Sequence, residues 1–147
     1  MMEYITNFIY AYLSTIGFAV LFNVPKSSFI KSGFVGGLSW VIYIFTKNLS
    51  GSIVGATFVA SLVIAIIGEI FAIIDKNPIT VYIIPGIIPL VPGFGLYNTM
   101  RSIVDRRFDL AANHGTEALL ISVSIAGALV IVLSINSYRR QRQRLKQ

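Results

Sequence analysis

Tyr82-Ile-Ile-Pro-Gly-Ile-Ile-Pro-Leu-Val-Pro-Gly-Phe-Gly-Leu-Tyr97 is the stretch whose reading decides how this chain folds. It is apolar enough for a membrane helix, yet Pro85, Pro89, Pro92, Gly86, Gly93 and Gly95 fall within eleven residues. Each proline removes a backbone donor and clashes with the carbonyl four residues earlier, at about 3 kcal/mol or more in a helix interior. The glycines open conformations that other residues avoid. A continuous helix is therefore not expected here. A bend that only helps packing is one reading; a break that forms a site is the other. Broken backbone at membrane depth persists only where it is buried in protein or lines a wet cavity. Half-helix ends in such places offer N–H groups to anions and carbonyls to cations. Pro85, Gly86, Pro89, Pro92 and Gly93 are accordingly candidate binding or pathway residues. Tyr97 and Asn98 directly follow the break and join them.

Working outward, the rest of the chain is also apolar. Of 147 residues, 55% are hydrophobic and 12% charged, whereas soluble domains carry about 25% charged residues. A membrane helix needs about 20 mostly apolar residues. Such stretches occur at about 4–22, 29–46, 51–74, 79–100 and 118–138. The fold class expected is an all-α integral membrane protein with about five transmembrane helices, the fourth broken by Pro and Gly. Residues 1–138 form one unit and 139–147 a basic tail. The only charge before the first apolar run is Glu3, so that run reads as a retained span and not a cleaved signal.

Lys and Arg favour cytoplasmic loops. Five spans with the tail inside place Lys26, Lys31, Lys76, Arg139, Arg140, Arg142, Arg144 and Lys146 on the cytoplasmic side. Lys47, Arg101, Arg106 and Arg107 then lie outside. A re-entrant fourth segment would split the twelve evenly, so five spans with a cytoplasmic C-terminus is the expectation. Residues 101–117 form the one sizeable polar connection, part of it extending the flanking helices. The tail is read as a stop-transfer segment that binds anionic lipids, in preference to nucleic acid.

Glu69 is the ionisable residue clearly inside a span. An acid at a helix centre costs about 2.5–3.5 kcal/mol on the insertion scale and usually faces protein or water. Gly51, Gly55, Leu62, Ala65 and Ala72 lie within about 60° of it on the helix, which turns Glu69 toward neighbouring helices. Ion coupling is one role for it. An interfacial acid pairing with Lys76 or Lys31 is the other. Asn23, in Asn23-Val-Pro25, either closes the first span or contributes to a pathway. Gly33-xxx-Gly37 and Gly51-xxx-Gly55 permit close helix approach. Trp40, Tyr43, Tyr97 and Tyr138 suit the headgroup region.

The chain has no cysteine and a single histidine, His114, read as a solvated loop residue. Thiolate and His-cluster metal sites are excluded, no nucleophile–base pair or phosphate loop is evident, and neither an enzyme nor a cofactor is expected.

Phe22-Asn-Val-Pro25, Gly33 to Trp40 and above all Val81 to Tyr97 resemble the threonine/serine exporter family, over about Tyr10 to Ser137. More closely, the chain resembles the small subunit of the split, two-component form, which matches the C-terminal half of single-chain members. The resemblance implies a secondary exporter of the bacterial cytoplasmic (inner) membrane, with about ten spans in the whole machine and a larger multi-span subunit as partner. Its solute would be threonine or serine, with C4-dicarboxylate export such as succinate as the alternative, and proton coupling expected. A non-transporting scaffold and a homo-oligomeric channel are the readings from other classes.

Overall fold

The computed structural model describes the backbone of residues 2–144 and the side chains of residues 2–135. The side chains of Tyr138 and of the tail, Arg139 to Lys146, lie outside the described residues, and with them the expected lipid contact.

Among the described residues six helices follow one another: α1 (Met2–Leu21), α2 (Phe29–Ser50), α3 (Ile53–Asp75), α4 (Thr80–Ile87), α5 (Gly93–Val104) and α6 (Phe108–Arg144). Short 3-10 turns occupy Lys26–Ser28 and Ile88–Leu90. Among the described residues there is no strand. Four helices, over Met2–Leu21, Lys26–Ser50, Ile53–Asp75 and Phe108–Ile135, are long and apolar enough to cross a membrane. Helices α4 and α5, bent by 49° at the proline-glycine break, make a fifth candidate crossing if the pair counts as one span, and a re-entrant segment otherwise. The chain is a multi-pass, all-α membrane protein.

Local chemistry ends each helix. Asn23 takes the left-handed conformation (φ 53°), and the Val24 N–H closes back on the Ala19 carbonyl at 3.0 Å. This satisfies a carbonyl that the end of α1 would leave bare. Gly51 (φ 67°) caps α2, its N–H on the Lys47 carbonyl, a position that suits a residue without Cβ. The Ser52 hydroxyl then accepts the Gly55 N–H at 3.1 Å and starts α3.

Small residues bring the helices together, as expected where lipid supplies no hydrophobic drive. A Cβ on Gly33 or Gly37 would come within 2.9 Å of Tyr12 or Phe8, and one on Gly36 would overlap Thr15. These three positions seat α2 on α1. The Gly51-xxx-Gly55 pattern differs from its expectation: Gly51 is a helix cap, and a Cβ on Gly55 would meet only Ser52. Among the described residues no second helix packs there. Pattern alone does not separate an interface from a helix boundary.

The polar connection is shorter than residues 101–117. Helix α5 runs to Val104 and α6 begins at Phe108, leaving a tight turn with Arg106 at φ 57°. Asp109, His114 and Glu117 are helical, since polar residues do not by themselves break a helix. Helix α6 packs along α3, where the Ser124 hydroxyl donates to the Val54 carbonyl at 2.8 Å. Val35, Ala60, Ile64, Ile83, Leu90 and Ile125 form the buried core around the broken segment.

Candidate functional site

Three prolines orphan three carbonyls, those of Val81, Pro85 and Ile88. None of the three is left for a ligand. The Ser32 hydroxyl, on α2, donates to Val81 O at 3.1 Å. The Ile88 N–H turns back to Pro85 O, and the Val91 N–H is shared between Ile87 O and Ile88 O at 3.2 Å each. The break is repaired by tighter local turns and one borrowed hydroxyl.

The unpaired groups lie just beyond. Helix α5 starts at Gly93 with no side-chain cap. The Gly93 N–H turns back to Val91 O at 2.8 Å, and the Leu96 N–H reaches Pro92 O at 3.0 Å. Among the described residues no partner is found for the Phe94 and Gly95 N–H groups between them. Both residues line a cavity of about 460 Å³. Pro89, Pro92 and Asn98 line it too, with Thr57 of α3 and His114 and Glu117 of α6. A helix start with free N–H groups favours an anion; Glu117 across the same space favours a cation. The cavity therefore matches a small solute carrying both charges.

A second cavity, about 300 Å³, lies where α1 turns into α2 and α4 begins; Asn23, Pro25, Val81 and Pro85 are in its wall. The first cavity reaches Trp40 and Tyr43 on α2 and Ile53 at the start of α3. Because α2 and α3 run in opposite directions, the two cavities open toward opposite ends of the bundle. Between them the chain is closed by Gly86, where a Cβ would meet Val35 at 3.1 Å and Ile64 at 3.5 Å.

The expected site residues are thus distributed. Asn23 and Pro85 meet in the smaller cavity, Pro89, Pro92 and Asn98 in the larger. Gly86 is buried between them. Gly93 and Tyr97 line neither cavity, and Tyr97 is exposed. Glu69 is buried on α3, also outside both linings.

At the smaller cavity's end stands a side-chain network that the sequence does not announce. Lys31 of α2 forms an ion pair with Asp75, the last residue of α3. The fully buried Tyr82 donates its hydroxyl to the other Asp75 oxygen at 2.5 Å. Tyr82 also lies 3.2 Å from the Ser28 hydroxyl, which accepts from Asn77 at 3.1 Å. An ionised carboxylate accepts only, and Lys31 and Tyr82 are matched donors for it. Lys31 thus pairs with Asp75, where the sequence offered it to Glu69. His114 and Glu117 were also missed. With Ala118 and Ile121 they follow i, i+3, i+4, i+7 spacing, a signal available once 108–117 is read as helix.

Comparison with known protein families matches residues 7–135 to the one described as "Threonine/Serine exporter, ThrE". An uncharacterized protein of Haemophilus influenzae is 28% identical over 104 residues, covering 71% of this chain and 35% of that protein. The chain thus matches about a third of the length of this curated relative. No solved structure matches it.

Proposed function

The chain belongs to the threonine/serine exporter family, and from that premise we propose that it forms half of a secondary exporter for small hydroxy amino acids in the bacterial inner membrane. The observation that carries this reading is the pair of cavities at opposite ends, separated by one packed layer at Gly86. Alternating access needs two vestibules and a thin barrier between them. Here the barrier lies on a bent, proline-containing segment, the kind of discontinuous helix on which transporters build sites. The distribution of Lys and Arg puts the Asp75 end and the C-terminus in the cytoplasm and the larger cavity outside.

In the larger cavity the Phe94 and Gly95 N–H groups bind the solute carboxylate. Glu117 attracts its ammonium, and Asn98 and His114 supply neutral hydrogen bonds. Glu69, buried in a span, is the candidate carrier of a coupling proton. Succinate is the competing solute; its second carboxylate would stand against Glu117, which favours the amino acid.

The other half is a larger multi-span subunit. The matched relative extends well beyond the aligned stretch, as a single protein holding both halves would. The test is gentle extraction of the tagged chain, identification of what accompanies it, and reconstitution of the recovered assembly. Labelled threonine or serine should move down an imposed pH gradient, and Glu69→Gln should abolish that drive while leaving folding intact. Recovery of a homo-oligomer that conducts solute down its own gradient, with no coupling gradient imposed, would overturn the exporter reading in favour of a channel.

A further inference from the structure

Ser61 is the exception to an otherwise satisfied interior. It is fully buried, and among the described residues its hydroxyl is the one buried side-chain polar atom without a hydrogen-bond partner. Other hydroxyls in the bundle find one. Thr57, one turn earlier on the same helix, donates to Ile53 O at 2.9 Å, and Thr15 donates to Ala11 O at 2.8 Å. A buried polar group without a partner costs free energy and calls for an explanation.

Its position supplies one. At 100° per residue, Thr57, Ile64 and Gly68 all lie within about 60° of Ser61 on α3. Thr57 lines the larger cavity. Ile64 meets Gly86 in the closing layer, and Gly68 faces Ile83 and Tyr82 of α4. Ser61 therefore sits on the face that α3 turns to the broken segment, about 6 Å along the axis from Thr57. It lies between the vestibule and the barrier.

We infer that Ser61 is a specificity-determining residue whose Oγ hydrogen-bonds a hydroxyl group carried by the solute as it passes between the two cavities. A hydroxyl both donates and accepts, so serine and a hydroxy amino acid satisfy each other whichever way the proton points. A solute of the same shape lacking the hydroxyl leaves Ser61 unpaired, and sites of this kind reject such analogues strongly. The inference rests on the exporter reading for its solute and goes beyond it in naming the group that reads the hydroxyl.

The experiment compares threonine with 2-aminobutyrate, which lacks only the hydroxyl, in vesicles holding the complete assembly. The unmodified protein should favour threonine about tenfold or more, since one hydrogen bond of about 1.4 kcal/mol has that effect. Ser61→Ala should bring the ratio to within about twofold of unity without lowering thermal stability. Ser61→Thr, which keeps the hydroxyl, should retain the preference. As a second route, Ser61→Cys places a unique thiol in a chain that has none; threonine should slow its modification by maleimide and 2-aminobutyrate should not. Unchanged discrimination in Ser61→Ala overturns the inference while leaving the exporter reading standing. Equal protection of the thiol by both solutes overturns it as well. An unmodified assembly that moves neither solute removes both readings together.

Discussion

The two ends of this helical bundle solve opposite problems. At the Asp75 end, Lys31, Asp75, Tyr82, Ser28 and Asn77 bond to one another and join α2, α3 and α4. At the His114 end, His114, Glu117 and Asn98 line an open cavity, and α5 begins without a cap. One broken segment, α4 and α5, connects them. The carbonyls that the prolines orphan are satisfied within the protein, whereas α5 begins with unpaired N–H groups on two residues that line a cavity. On the function proposed above, the difference is that between a joint and a vestibule: side chains clamp the first half-helix, and the second begins beside the cavity assigned to the solute.

The sharpest way to break this contrast is to fill the layer between the ends. Gly86→Val would drive a methyl into Val35, 3.1 Å from where its Cβ stands; solute flux should fall more than about tenfold, with overpacking costing about 1–3 kcal/mol. Gly17→Val, where nothing lies within 4 Å, should transport near normally. Normal flux through Gly86→Val would show that this layer is not the barrier.

Glu117→Gln tests the vestibule. Threonine flux should drop about tenfold through a higher half-saturating concentration, on the scale of one charge-assisted hydrogen bond, and succinate flux should rise. A parallel fall in both would remove Glu117 from solute selection. A smaller effect is expected from Pro89→Ala, in the cavity wall, which should lower flux several-fold while membrane abundance holds; equal loss of both quantities would reduce the break to a packing device. Smallest for transport, and specific to the joint, is Tyr82→Phe. It removes the hydroxyl between Asp75 and Ser28 and should lower stability by about 1–2 kcal/mol, read as earlier thermal unfolding, with the solute preference intact. A changed preference in that variant would mean that the joint takes part in solute selection.

Much of this architecture is legible along the chain. Apolar runs long enough to span a bilayer and a proline-glycine cluster within one of them define a membrane bundle with a broken crossing. What the pattern misses is tertiary in origin. Lys31 finds Asp75 across 44 residues, while helical spacing makes Glu69 look equally available. The Val81 carbonyl is rescued by Ser32, 49 residues away, so the carbonyls that proline arithmetic frees are already occupied. His114 reads as a loop residue until the helix beneath it is known to begin at Phe108.

The sequence by itself determined the solvent, the helices and the place where one of them must break, because hydrocarbon length, proline geometry and charge placement act locally or along the chain. Only the tertiary structure decided which backbone groups remain free, where the two cavities lie, and that Ser61 is buried without a hydrogen-bond partner among the described residues. Those outcomes depend on which helix face meets which. That choice is made by close contacts at Gly33, Gly36, Gly37 and Gly86 between segments far apart in sequence, where a single methyl group decides whether two helices can touch.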